Sequence, residues 1–443
     1  MRAEARLSAA IELLDQWLQS MSAGRAPADI LVGNFFRARR YAGSKDRREI
    51  SSLFYGVLRD LSVLRQLHMT DADGQMSNGP MSARGLLIAY LVKNNPDDLS
   101  LFGLDSPYSP DALADDEQQM KERFQSITLS DATVLNIPSH YLEGLEQRFG
   151  DDLRDEVAAL NEQSTLTVRV NPLKSNRKKI FGQLVGQGLR LTKTALSPYG
   201  LVFDKKQPLG TIDAYKKGLI EVQDEAAQLA SMLVNASADD HVIDLCAGAG
   251  GKSLMIAALA GGCKTTAFDI DGRRLGDLQK RAERAGVDIH QIKLPLTGAR
   301  RVSKLVPYTA SADHVVVDVP CSGTGTWRRS PDLRWRMDKN SLDELKGTQQ
   351  ALLSEASKLV KTEGLVYYMT CSLLPQENEE IVDQFLADNP DFERIDAQAR
   401  LSGLLEDDVT LRCPHSGNDK DILLSPKSHN TDGFYMAVLR YKG

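Results

Sequence analysis

From Asp239 onward the chain repeats a strand, a glycine-containing turn and a helix, and this rhythm limits the possible folds more than any other feature. Residues 241–245 read as a strand, 252–260 as a helix, 265–269 as a strand and 273–285 as a helix, with a third strand at 289–293. Residues 314–317 are apolar after the first, as expected of a strand buried on both faces of a parallel sheet. A long helix at 341–361, a strand at 365–369, a helix at 376–389 and a last strand at 434–439 continue the pattern. Strands alternating with helices predict an α/β domain built on a doubly wound parallel sheet.

The preceding residues follow other periods. Leu7, Ile11, Leu14 and Leu18 recur at helical spacing, as do Leu53, Val57, Leu61 and Leu64, and 86–92 adds another helix. Residues 94–117 are polar and rich in Pro and Asp, which predicts a mobile linker or long loop. Two short helices at 137–150 and 152–161 lead to a strand at 165–170, which Asn171-Pro172 ends. A helix at 176–188 and short strands at 200–203 and 218–222 complete a small α/β insert. The expected division is 1–130 helical, 131–218 insert and 219–443 catalytic.

Composition excludes several classes. The chain has 443 residues, 54 basic and 60 acidic side chains and a net charge of −6, with 42% hydrophobic residues. That is an ordinary globular balance. No apolar run reaches membrane-spanning length, and the N-terminus carries no apolar signal core, so the cytoplasm is the expected location. No two of the five cysteines form a CxxC pair, and the histidines lack metal-ligand spacing, so no metal is expected. The net charge argues weakly against nucleic acid, although local basic stripes remain.

The first chemistry-bearing motif is V-I-D-L-C-A-G-A-G-G-K-S at 242–253, an apolar strand that feeds a glycine-rich turn and opens a helix. Such a turn brings bare backbone and unpaired N–H groups to a ligand. A nucleoside-triphosphate loop needs glycine where Cys246 stands, and a dinucleotide loop needs glycine at Ser253. S-adenosylmethionine remains: it has no phosphate, needs close backbone approach, and has a ribose diol suited to a carboxylate. Asp269, at the end of the next strand, is placed for that role. A plain β–α turn with a capping aspartate is the bland alternative.

The second motif is a pair of cysteines. Asp318-Val319-Pro320-Cys321-Ser322 and Thr370-Cys371-Ser372 each follow a strand of the sheet, at the edge where open α/β sheets bind ligands. Structural cysteines in the core are the alternative. Two thiols here suit a pyrimidine whose C5 must attack a methyl sulfonium. A thiolate that adds at C6 makes C5 nucleophilic, an acid beside N3 stabilises the adduct, and a second base removes the C5 proton. Asp318 is placed to be the acid.

D-L-C-A-G-A-G-G-K at 244–252, D-V-P-C-S-G-T-G at 318–325, R-R-S-P-D-L-R-W at 328–335, T-C-S-L-L-P-Q-E-N at 370–378 and D-G-F-Y at 432–435 together resemble RNA (cytosine-5)-methyltransferases, especially the bacterial enzymes of small-subunit ribosomal RNA. The resemblance covers about 130 to 443. It implies a Rossmann-like, S-adenosylmethionine-dependent domain in which Cys371 is the nucleophile, Cys321 assists release and Asp318 faces the base. It assigns cofactor binding to Cys246, Ala247, Gly248, Ala249, Gly250, Gly251, Lys252, Asp269 and Asp318. Residues 42–59 more weakly resemble the NusB-like RNA-binding domain of these enzymes. Two departures stand out: Ala249 replaces the family's usual Pro, and Leu294-Pro295 falls where an Asp normally reads the adenine, so adenine must be held differently or more weakly.

Basic residues suggest the RNA contacts. Arg328, Arg329, Arg334 and Arg336 interleave with Trp327 and Trp335, a pattern suited to stacking on unpaired bases. Because this run follows the P-C-S turn, it is expected to line the mouth of the active site. Lys174 leads a second cluster with Arg177, Lys178 and Lys179, and Arg300, Arg301 and Lys304 form a third. Any one run taken alone is equally a solvated helix face. The resemblance thus implies an enzyme that methylates RNA, ribosomal RNA above all, at cytosine C5, and a monomer is expected. The rivals are a catalytically weak RNA-binding protein of the same fold and a nucleotide hydrolase.

Overall fold

The computed structural model describes residues 1–23, 26–70, 79–405, 411 and 413–443. The chain forms two compact units, 1–143 with 329–338, and 144–328 with 339–443.

The first unit is helical, as its leucine spacing requires. The helices Ala3–Ala23, Ala28–Ala38, Ser44–Arg59, Leu61–Met69 and Ala83–Asn94 bury Leu13, Trp17, Phe54, Leu58, Leu64 and Ile88 in one core. Ser82 caps the last of these by accepting from the Gly85 N–H at 3.0 Å. Residues 94–117 are not a loose linker. Phe102 is buried, and Arg84 holds Glu117 at 2.8 Å and the carbonyls of Asp111 and Ala112 at 3.1 Å. A single arginine gathers the segment onto the core, and composition alone gave no sign of it. Residues 329–338 join the same unit, with the short helix Leu333–Arg336.

The second unit contains two sheets. The smaller comprises β1 (Leu166–Val170), β2 (Leu191–Lys193), β3 (Gly200–Phe203) and β4 (Ile220–Val222) in the antiparallel order β2-β3-β1-β4. The helix Arg177–Gly186, capped by Asn176, packs Ile180 and Leu184 against Val168, Leu201 and Phe203. Strand β2 escapes sequence reading because only one of its three residues, Leu191, is buried. The helix Glu225–Val234 escapes it for the opposite reason: it is buried on nearly every side and shows no polar face.

The larger sheet has eight strands: β5 (His241–Asp244), β6 (Lys264–Asp269), β7 (His290–Lys293), β8 (Ala312–Asp318), β9 (Val360–Thr370), β10 (Phe392–Ile395), β11 (Ile422–Leu424) and β12 (Phe434–Tyr441). The order is β10-β12-β9-β8-β5-β6-β7, with β11 also paired to β12. Strands β5 to β9 are mutually parallel, and the order reverses between β5 and β8. The wholly parallel sheet expected from sequence needs correction at one edge. β12 runs antiparallel to β9, with Met436 opposite Met369, and β10 and β11 pair antiparallel with β12. Side-chain period marks a strand and carries no information on its direction. The long helix also ends earlier than expected, at Ser357, because Val360 already pairs with Ala312 in the sheet.

Candidate active site

Three loops leave the carboxyl ends of β5, β8 and β9, beside the point where strand order reverses, the position at which open α/β sheets bind ligands. The loop after β5 carries the glycines. Gly248 and Gly250 have φ of +57° and +79°, and a Cβ on Gly250 would lie 2.5 Å from Leu278 Cγ. Any side chain there would both strain the backbone and strike the neighbouring helix Gly272–Ala285. The helix Gly251–Leu259 starts directly afterwards and aims its free N–H groups at the loop.

Asp269, buried at the end of β6, fixes this loop. Its Oδ2 accepts from Gly248 N and its Oδ1 from Asp271 N, both at 2.7 Å. Burial and the carboxylates of Asp244, Asp318 and Asp269 push the Cys246 thiol up, so it stays protonated at neutral pH. Ala247 donates to Phe268 O at 2.9 Å, while Ala249 O accepts from Arg281 at 2.5 Å. After β7, Leu294 is buried and its N–H donates to Asp269 O at 2.9 Å; Pro295 O accepts from Arg301 at 3.1 Å.

Lys252 leaves the first turn of the helix and places Nζ 2.5 Å from Asp318 Oδ2, over the Phe434 ring at 4.9 Å. An ammonium so placed orients the Asp318 carboxyl group. Beneath them Asp244 is fully buried and accepts from Ser253 Oγ at 2.5 Å. Burial pushes its carboxyl up to about 6.

The loops after β8 and β9 bring the cysteines together, with Cys321 Sγ 3.4 Å from Cys371 Sγ. Val319 N donates to Met369 O and Gly325 N to Cys371 O, each at 3.0 Å, so backbone bonds tie the two turns together. Contact with Cys371, then burial, holds the Cys321 thiol well above its ordinary range. Sequence reading passed over Glu377, whose buried carboxylate lies beneath both turns. Glu377 lies inside the 370–378 motif, but its role shows only when the chain doubles back beneath both cysteine turns.

The basic residues are distributed differently from the expectation. Arg334 is 1% exposed, and Trp335 packs on the helical core and donates from Nε1 to Leu58 O at 2.8 Å. Arg328 is buried in the other unit, where it donates to Thr431 O and Asn430 Oδ1 at 3.3 Å and borders a polar cleft of about 180 Å³. Of the run's predicted contacts, Arg329 alone keeps an exposed side chain. Lys174 is exposed, and its Nζ donates to Arg284 O at 2.6 Å and Lys217 O at 3.1 Å, next to a helix C-terminus where a cation is favoured. In the third cluster Arg301 is buried and paired with Glu355 at 2.6 Å.

Comparison with known proteins decides the family. The model of the 16S rRNA methyltransferase RsmB/F family matches residues 231–440, and that family's ferredoxin-like domain matches 137–210. A probable ribosomal RNA small subunit methyltransferase B of Synechocystis is 31% identical over 335 residues, which cover 73% of this chain and 71% of that protein. This chain belongs to the RsmB/F family. Ribosomal RNA small subunit methyltransferase B of Escherichia coli K12 is 27% identical, over 79% of this chain and 84% of its own. Among solved structures, PH0851 superposes with a TM-score of 0.75 at 22% identity over 99% of both chains. NSun6 from Pyrococcus horikoshii, solved with SFG, gives 0.58 at 20% identity over 69% of this chain and 98% of its own. These likenesses support the fold: a Rossmann-like methyltransferase sheet, with a helical N-terminal region that fits a NusB-like domain.

The RsmB/F chain is thus an S-adenosylmethionine-dependent methyltransferase of ribosomal RNA. Its residues suit that cofactor in kind: a glycine-rich loop opens a helix at the carboxyl edge of the sheet, and the buried Asp269 carboxylate stands beside that loop. Among the described residues no cluster of His, Cys, Asp or Glu could hold a metal ion, and no helix is long and apolar enough to cross a membrane.

Proposed function

We propose that the enzyme methylates C5 of a cytosine in ribosomal RNA through a covalent bond between Cys371 and C6. The observation that carries this reading is the pair of thiols 3.4 Å apart, beyond adjacent strands and beside the Asp318–Lys252 pair. One thiol would be enough for attack; a second at that distance suits a reaction that must also undo it.

Cys371, as thiolate, adds to C6; the S–C6 bond forms, and the C5–C6 π electrons move toward C5 and the N3 side of the ring. Asp318 shares a proton with N3, and the Lys252 ammonium holds that carboxyl group in place. Bound S-adenosylmethionine supplies an electrophilic methyl group. Once C5 carries the methyl group, Cys321 in its thiolate form takes the C5 proton, N3 returns its shared proton to Asp318, the C5–C6 double bond reforms, and Cys371 leaves as thiolate. Cys246, Ala247, Gly248, Ala249, Gly250, Gly251 and Asp269 are read as the cofactor cradle, and exposed Arg329 as an RNA contact.

Methylation of small-subunit ribosomal RNA with labelled cofactor, followed by digestion to nucleosides, should yield 5-methylcytidine. Label in N4-methylcytidine or in a ribose would contradict the reading, because neither product needs a thiol.

A further inference from the structure

Glu377 belongs to the turn Pro375–Glu377 between β9 and the helix Glu379–Asp388, and it is wholly buried. Four donors converge on its two carboxylate oxygens. Oε1 accepts from Ser322 N at 2.8 Å and Gln349 Nε2 at 2.9 Å. Oε2 accepts from Ser322 Oγ and Ser372 Oγ, both at 2.5 Å. Ser322 is the residue after Cys321, and Ser372 is the residue after Cys371. A single anion therefore grips the chain immediately beyond each thiol.

The surrounding bonds extend this clamp. The two serine hydroxyls lie 3.2 Å apart, and Ser372 Oγ is also 3.2 Å from Thr324 Oγ1, which accepts from Leu373 N at 2.8 Å. Gln349 Nε2 reaches Pro320 O at 3.0 Å, on the other side of Cys321. Tyr368 OH donates to Glu377 O at 2.6 Å and secures the turn from the sheet. A carboxylate has about four lone-pair sites, so it accepts all four donors; an amide would turn an NH2 group toward two of them. No single β-strand fixes the distance between loops of two different strands, so a bridging group is needed. Bonds to a buried charge are the strong kind.

We propose that Glu377 is a positioning residue that holds Cys321 and Cys371 in register, so that one can attack a base and the other take a proton from it. Its catalytic consequence rests on the two-cysteine reading above, whereas its structural claim can be tested without RNA or cofactor. The azodicarboxamide diamide closes adjacent thiols to a disulfide: the two thiols lose two protons and two electrons, and the azo bond is reduced to a hydrazine. The rate of the Cys321–Cys371 disulfide, followed by mass spectrometry of tryptic peptides, then acts as a ruler of thiol register.

In Glu377→Gln, disulfide closure should slow at least tenfold. kcat should fall at least tenfold with KM for RNA within twofold, since Glu377 does not reach the glycine loop or the surface. S-adenosylmethionine affinity within twofold of the wild type will show that the fold is intact. Ser372→Ala removes one donor only and should shift the same rates in the same direction by a smaller factor, which covers the case of a Gln variant that does not fold. Closure in Glu377→Gln as fast as in the wild type overturns the proposal, whatever the activity. Wild-type methylation by Cys371→Ala would instead overturn the two-cysteine reading, and the ruler would still judge Glu377.

Discussion

The turn 320–326 and the run 328–335 are neighbours in sequence, and both look functional when read as residues. In the structure their side chains meet different ends. Cys321 is partly exposed, 3.4 Å from its partner thiol at the carboxyl edge of the sheet. Arg334 is buried in the helical unit, Trp335 hydrogen-bonds to Leu58 O, and Arg328 is buried against Thr431 and Asn430. The cysteines were read from their place in the fold, just beyond strand ends, and place is what a chain must keep. The arginines and tryptophans are read from composition and from chain proximity to the P-C-S turn, and neither fixes where a side chain ends. Arg and Trp have long apolar bodies with donors at the tip, so they can close an interior as readily as they bind a base.

The contrast breaks if Trp335 in fact serves RNA. Trp335→Ala should destabilise the helical unit by about 3 kcal/mol, the scale for removing a packed aromatic, and thermal or urea unfolding will show it. Unchanged stability with weakened RNA binding would return Trp335 to the surface role that its composition suggested.

The contrast sharpens at Asp269, which was also read from place. Asp269→Ala should weaken S-adenosylmethionine binding by about 2–3 kcal/mol, the scale of hydrogen bonds to a charged group, and leave RNA binding unchanged. The structure adds a second reason for the loss, since Gly248 N and Asp271 N would lose their acceptor. Calorimetric titration with equal affinity for wild type and variant would show that the carboxylate fixes neither ligand nor loop.

A smaller effect concerns Asp244, which neither kind of reading singled out. Burial raises its folded-state pKa to about 6, above the ordinary 3.8, so the folded state holds the proton more tightly than the unfolded one. The native state is therefore favoured below about pH 4, and that advantage is lost as pH rises to about 6. Asp244→Asn keeps an acceptor for Ser253 and cannot ionise. It should raise the melting temperature by a few degrees at pH 7–8 and by nothing near pH 4. A gain that is the same at both pH values would mean the group is not titrating in the folded chain.

Much of the catalytic sheet was legible because strand–turn–helix units carry their own punctuation. The loop 246–252, Asp269, Asp318 and both cysteines lie at its carboxyl edge. Three kinds of feature were not legible. The antiparallel edge formed by β10, β11 and β12 depends on strand direction, which side-chain period does not encode. Residues 94–117 look polar and loose, yet Arg84 and Phe102 bind them to the core through contacts distant in sequence. Glu377 and the Lys252–Asp318 pair acquire meaning only when three loops converge.

The central claim is that two adjacent thiols divide the work of attack and release. It is tested most directly by incubating Cys321→Ala and Cys371→Ala separately with ribosomal RNA and S-adenosylmethionine, then running denaturing gels. Cys371→Ala should be inactive and form no RNA complex, since C5 then has no route to become nucleophilic. Cys321→Ala should accumulate a protein–RNA adduct that survives denaturation and depends on cofactor, and the double variant should form none. An adduct in Cys371→Ala but not in Cys321→Ala would exchange the two roles. Full methylation by both variants would contradict the claim outright.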